Sequence, residues 1–476
     1  MRRSLPIPRP PRLNEMERGR FLTGSTMGHV VRMTATGAFG LTFVFLVDAA
    51  NLFWISQLGE PHMVAALGFA YAIQFFSISF GIGLTIATTA MVSRSIGAGD
   101  RYLARRQAGV GIVLAAMVQT CVASTVVFFR HELVALSGGV GETAELAAHY
   151  LAFTMPSLVP MAIGMVASGT LRAEGLAAKA MYVTFISGLI LMIADPILIF
   201  WAGFGFDGAV IALVLFRVAI MLLGLFFAAY QHGLVAMPDG DAMRASAKPF
   251  ALLAVPAIAT QLSTPAGNYL LTIVIAPFGD EAVAAWAVVS RLTVLAFGGI
   301  FALSGAIGGI FGQNLGAGQY DRLRSTYRNA LLFCVVYTLT MWALLAATTP
   351  LVIEGFGLSG LGAEVIRAFT SVGVGGFVFV GALFVSNAAF NNLGRPSRST
   401  LMNWLKDGAL TWPAATLLAG GFGAVGVIYG QAVVSVIMGG LAALWGWSYV
   451  RSLGPEANVV PPPARPWPSV DRYRRR

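Results

Sequence analysis

The sequence predicts an all-α integral membrane protein, with twelve transmembrane helices in two six-helix lobes related by a pseudo-twofold axis. Three observations predict it. Hydrophobic residues make up 57% of the 476-residue chain and charged residues only 11%, against roughly 25% charged in soluble domains. Apolar runs of about 20 residues, the length that crosses hydrocarbon as a helix, recur twelve times. A glycine-rich loop motif also recurs about 219 residues downstream of its first copy.

The apolar runs place spans near 30–56, 63–90, 107–129, 148–170, 181–202 and 207–230. A second set follows near 250–275, 283–308, 328–349, 364–388, 399–420 and 426–448. Residues 1–27 read as a cytoplasmic tail, because they are rich in Arg and Pro and lack the apolar core of a signal peptide. Residues 28–230 form an N-lobe, the polar stretch 231–249 a cytoplasmic linker, 250–448 a C-lobe and 449–476 a basic cytoplasmic tail.

The net charge of +10 invites a nucleic-acid reading, but the basic residues sit between apolar runs and no soluble domain remains to carry a basic face. Their distribution instead orients the chain, since loops facing the cytoplasm collect Lys and Arg. With both termini cytoplasmic, only Arg130 and Arg367 fall outside, and Arg217 and Arg291 fall within spans. Lys406 is counted among the inner positives, and snorkelling toward an interface is the ordinary account of Arg217 and Arg291. The expected location is the cell membrane, multi-pass. Cys121 and Cys334 lie inside apolar runs and read as small buried side chains. No metal cluster, nucleophile–base pair or phosphate-binding lysine stands out, so neither an enzyme nor a cofactor is expected.

The repeat aligns SRSIGAGDRYLARR at 93–106 with GQNLGAGQYDRLRS at 312–325. Gly97, Ala98 and Gly99 fall on Gly316, Ala317 and Gly318, and Gly175 falls on Gly394. An even number of spans per copy makes both copies enter the membrane in one direction, so the symmetry axis lies along the membrane normal. A cavity between the lobes near the midplane follows, with alternating access by rocking one lobe against the other.

These residues resemble the multidrug and toxic compound extrusion (MATE) transporters over roughly 28–450. The loops just aligned carry the resemblance. LRAEGLAAKA at 171–180, NNLGRPSRS at 391–399, LVDAAN at 46–51 and ADPILIF at 194–200 are similar to the family pattern in order and spacing. The resemblance implies a V-shaped pair of lobes and an antiporter that expels bulky, amphipathic, often cationic drugs in exchange for entering H⁺ or Na⁺. Small-molecule substrates and membrane lipids are the expected partners, with no nucleic acid and a monomeric chain. A flippase or exporter of a lipid-linked or polyanionic substrate, from the wider superfamily, is the alternative.

An ionisable group near the bilayer centre costs about 2.5–3.5 kcal/mol on insertion scales, so each one asks for a reason. Asp48 in the first span and Asp195 in the fifth stand where the DinF-like branch of the family carries its coupling carboxylates. That each merely caps a broken helix or pairs with an arginine stays open beside it, and Pro196 directly after Asp195 weighs on that side. Asn51 lies three residues beyond Asp48, while Thr184 and Ser187 share a helical face with Asp195. These five are the candidate ion-coupling residues.

Asn268 is the repeat counterpart of Asp48, and the seventh and tenth spans hold no acid. That points to coupling in the N-lobe, with H⁺ favoured. Leu191 and Leu213 replace an Asn and a Thr of the family pattern, and residues 30–56 contain no proline; a full sodium site and a kinked first helix are therefore in doubt. Gln74, Gln261, Asn268, Trp286 and Asn387 are the candidate substrate contacts, each with helix–helix packing as its ordinary reading.

Overall fold

The computed structural model describes residues 19–455, which are almost entirely helical. The N-lobe holds α1 (Thr26–Ser56), α2 (Pro61–Gly97), α3 (Arg101–Phe128), the short α4 (Arg130–Leu136), α5 (Gly141–Thr154), α6 (Leu158–Glu174), α7 (Ala177–Pro196) and α8 (Gly205–Leu225). The C-lobe holds α9 (Gly240–Ile275), α10 (Asp280–Gly316), α11 (Tyr320–Gly355), α12 (Gly360–Ser371), α13 (Phe377–Asn392), α14 (Pro396–Asn403), α15 (Thr411–Phe422) and α16 (Ala424–Ser452).

Ten helical stretches of the described residues are long and apolar enough to cross a bilayer, α12 and α13 together making one of them. The pair α5 and α6, bent by 52° at their junction, makes an eleventh. One further helical run, eleventh in chain order, goes through α14, a π-helical turn at Trp404–Leu410 and α15, and carries Arg398, Lys406 and Asp407. Asp100 and Asp239 cap α3 and α9 by accepting from Leu103 N and Ala242 N, each at 2.8 Å, which satisfies donors that a helix start leaves open. The second part of the sequence-level linker, from Gly240 on, is therefore helical and opens α9.

The repeat governs how the lobes meet. A Cβ on Gly97 would lie 2.0 Å from Gln313 O, and one on Gly316 would lie 2.0 Å from Arg94 O. Adding 219 to 94 and 97 gives 313 and 316, so these are one contact made twice across the pseudo-twofold axis. The same operation relates two hydrogen bonds: Arg94 Nη2 donates to Asn392 O at 3.1 Å, and Gln313 Nε2 to Ala173 O at 2.6 Å. Gly175 and Gly394 both take left-handed backbones, at φ 90° and 93°, closing the turns after the matched helices α6 and α13. The GAG loops are thus more than tight turns; their glycines let two backbones touch.

Residues 19–25 tie this end together further. Phe21 N donates to Gln313 Oε1 at 2.9 Å, and Arg322 donates to the carbonyls of Phe21, Thr23 and Gly24. Arg324 reaches Leu453 O at 3.1 Å, so both ends of the described chain lie on this face. Among the described residues, every hydrogen bond between the lobes is on it. Toward the opposite face the lobes part. Gly298 of α10 faces Thr42 of α1, but two turns farther on, Arg291 and Ala287 on α10 and Ala49 on α1 are exposed. Stripes left uncovered in this way fit two lobes that part toward that face.

Three sequence expectations need correction. Lys406, counted among the inner positive charges, sits midway along the run through α14 and α15 with only 12% of its side chain exposed. Arg217 does not snorkel, being 3% exposed in the lobe interior. Cys334 is buried as expected but Cys121 is exposed on α3, because its helix turns that face away from the rest of the bundle.

Candidate functional site

Within the N-lobe, α1, α2, α5, α7 and α8 converge on Asp195. Pro196 cannot donate a backbone N–H, which frees a carbonyl one turn back, and the chain continues as a π turn over Ile197–Trp201. Such turns recur at functional positions inside helices. Asp195 is fully buried. Asn51 Nδ2 stands 3.0 Å from each of its carboxylate oxygens, and Tyr71 donates to Asn51 Oδ1 at 3.0 Å. Tyr71 therefore fixes which way the amide faces: its oxygen is occupied, so the N–H side is turned to the acid. The Tyr71 ring meets Tyr150 edge-on at 6.3 Å.

No arginine or lysine bonds to Asp48 or Asp195 among the described residues. Arg217 acts on Asp48 by its charge, without bonding to it. Its hydrogen bonds go to neutral acceptors: Thr154 O at 2.6 Å, Ser157 Oγ at 3.0 Å and Gln74 Oε1. Gln74 in turn donates to Thr154 Oγ1 at 2.9 Å. A buried guanidinium is thus satisfied without neutralising either acid, and Asp48 remains accessible on α1.

Of the candidate coupling residues, Asn51 and Asp195 are in direct contact and Asp48 lies one turn from Asn51. Ser187 is fully buried and its hydroxyl has no partner among the described residues, while Thr184 is half-buried on the same helix. Of the candidate substrate contacts, Gln74 is held by Arg217 and Thr154, Trp286 packs in the C-lobe core, and Asn387 accepts from Asn403 at 3.0 Å. Gln261 and Asn268 on α9 keep accessible surface. Sequence reasoning passed over Tyr71, Tyr150, Thr154 and Ser157. A tyrosine one helix away carries no signal of its own, although Arg217 in an apolar run does.

A membrane protein of two matched six-helix lobes, with unpaired carboxyl groups inside one lobe, has the build of a secondary transporter. The chain belongs to the MatE family, whose profile matches residues 38–197 and 256–406. It is 24% identical to the FAD transporter of Shewanella oneidensis over 88% of this chain and 94% of that one. It is 22% identical to the multidrug export protein MepA of Staphylococcus aureus over 80% of this chain and 84% of that one. Crystal structures of the Vibrio cholerae MATE transporter VcmN superpose well, a variant form giving a TM-score of 0.84 at 25% identity over 90% of this chain and 98% of that one. A Pyrococcus furiosus MOP-superfamily transporter, described as having a binding pocket of reversed polarity, gives 0.83 at 21% identity over 92% and 97%; that likeness concerns the fold. The chain is therefore a multi-pass transporter and not an enzyme.

Proposed function

We infer that this protein is a DinF-like exporter that expels bulky amphipathic solutes in exchange for protons, with both termini in the cytoplasm. The observation that carries the reading is a fully buried Asp195 that has a hydrogen-bond donor in Asn51 and, among the described residues, no cationic partner. A carboxyl group in that setting can hold a proton on one side of the membrane and release it on the other as the lobes rock. One charge crossing about 100 mV supplies about 2.3 kcal/mol, which sustains a solute gradient of roughly fiftyfold. Asn51 turns its N–H side to Asp195, and Leu191 and Leu213 offer no oxygen; both favour H⁺ over Na⁺, which needs oxygen ligands. The joined face carries the basic loops, which supports its cytoplasmic placement.

The test is uptake of a fluorescent organic cation into proteoliposomes under imposed pH and sodium gradients, comparing wild type with Asp48→Asn and Asp195→Asn. Loss of pH-driven transport in both variants is expected. Normal pH-driven transport in both would refute the assignment. A second reading, export of an organic anion such as a flavin nucleotide, is favoured by the interior cation Lys406 and by the relative named as an FAD transporter, most of whose length this chain covers.

A further inference from the structure

The C-lobe holds an ion pair at membrane depth that the N-lobe chemistry does not use. The π turn at Trp404–Leu410 packs on α9 and presents Asp407, 9% exposed, to Ser263 and Lys406. Asp407 Oδ1 accepts from Lys406 Nζ and Oδ2 lies 3.2 Å from Ser263 Oγ. The pair is electrically isolated. Neither α9 from residue 249 on, nor α13, nor α15, nor α16 ahead of Arg451 contains Asp, Glu, Lys, Arg or His. Arg398 on α14 stacks its guanidinium over Trp445 and Tyr449, 4.8 and 4.7 Å from the ring centroids.

The repeat shows that the site is built in. Position 407 matches Gly188, where the N-lobe packs α7 on α1: a Cβ there would meet Val47 Cγ2 at 2.9 Å. In the C-lobe the glycine is on the other helix, and a Cβ on Gly267 would meet Asp407 Cβ at 2.8 Å. The small residue has changed sides, leaving room for a carboxylate at a contact that is apolar in the N-lobe.

The two charges are unequally satisfied. Asp407 is short-stemmed, packed on Gly267 and served at both oxygens. Lys406 carries three N–H donors, of which one finds an acceptor among the described residues, and its four-carbon stem can swing. Buried ions are retained only when their remaining hydrogen-bonding groups are met, so the ammonium is the group short of a partner. The geometry points to Lys406 as an anion-accepting site in the C-lobe, with Asp407 as the resident counter-ion; it takes a phosphate or carboxylate group on an amphipathic solute. This deepens the second reading above and rests on the chain being a transporter, while leaving the N-lobe proton chemistry separate.

Flavin mononucleotide and riboflavin, which differ by one phosphate, are the probes, titrated by fluorescence polarisation into the full chain in nanodiscs with no gradient. Wild type binds the phosphorylated flavin more tightly. Lys406→Met removes that preference, a change of about tenfold or more, as for loss of a charge-assisted hydrogen bond. Lys406→Arg keeps it, and Asp407→Asn strengthens it because the internal competitor is gone. Lys406→Met/Asp407→Asn leaves no unpaired buried charge, so it decides the question if a single variant does not fold: it loses the preference too. Equal binding of both flavins by wild type, a preference that survives Lys406→Met, or weaker nucleotide binding by Asp407→Asn overturns the proposal. Asp48→Asn and Asp195→Asn should retain the preference, so failure of proton coupling is read separately.

Discussion

Adding one methyl group at Gly97 or Gly316 should unlock the joined face of the transporter. In Gly316→Ala the new Cβ would sit 2.0 Å from Arg94 O, 2.8 Å from Ala98 N and 3.0 Å from Arg94 C. All three are backbone atoms, so no rotamer change relieves the clash. A carbon and a carbonyl oxygen settle no closer than about 3.3 Å, and the helices must part by roughly a further 1 Å or more. Overpacking of this kind costs about 1–3 kcal/mol. The cost falls only on the conformation in which this face is closed, so the ratio of the two conformations shifts by about 5–150-fold. Gly97→Ala, the symmetry mate, meets Gln313 O at the same 2.0 Å and should act alike. The two together should fall short of the sum, since both relieve one closure. Spin labels at Gln57 and Asp280, exposed near the distal ends of the two lobes, report the change by pulsed dipolar spectroscopy. A shorter label distance and slower transport are expected in each variant. Unchanged distances and unchanged transport in both would refute the view that these glycines form the gate.

Two further outcomes follow from groups outside the gate. Arg217→Met leaves Gln74 Oε1 buried without the donor it now has, while Thr154 O keeps Ser157 Oγ at 2.6 Å; an unsatisfied buried acceptor costs about 1–3 kcal/mol. The thermal midpoint in detergent should fall clearly below that of wild type, and an unchanged midpoint would mean that Arg217 is not the clamp between α2, α5 and α8. Asp239 accepts the Ala242 N–H at the start of α9, and with Arg106 beside it its carboxyl is held below the usual carboxylate range. A lowered folded value means the contribution is complete above the unfolded value of about 3.9 and is lost as pH falls through the folded one. The stability gap between wild type and Asp239→Ala should therefore be widest at neutral pH and close on acidification; a gap independent of pH would sink this account.

Twelve spans and the duplication were legible because lipid demands long apolar helices and the repeat preserved its glycines at fixed spacing. Asn51 and Asp195 were legible as candidates, since both sit in apolar runs where a polar group stands out, but their direct bond to each other was not. Their tyrosine was not, because Tyr71 is unremarkable in an apolar helix until folding sets it against Asn51. Gln74 and Asn387 look like free polar groups in sequence, yet a buried amide finds a partner wherever one is within reach, and both are bonded within their lobes. Asp407 was missed for a different reason. It falls inside the span near 399–420, but Lys406 beside it counts as an inner positive charge in sequence, and the helical run of 396–422 through a π turn is what packs the pair inside the lobe.

The distribution of symmetry separates two jobs. At the joined face the two halves repeat their contacts position for position: Gly97 on Gln313 answers Gly316 on Arg94, and Arg94 to Asn392 answers Gln313 to Ala173. A pivot about the pseudo-twofold axis needs such matched surfaces, because either lobe must leave the other by the same motion. Deeper in each lobe the repeat is broken. Where α1 and α7 bury Asp195 on Asn51, the corresponding helices of the C-lobe place Leu271 and Ala414, and the C-lobe charge sits two turns earlier, at Lys406 and Asp407. A duplicated bundle that kept both interiors alike would respond to one ion in both lobes. Unlike interiors let a single rocking motion expose a carboxyl group in one lobe and an ammonium group in the other, so that ion and solute report on the same gate from separate sites.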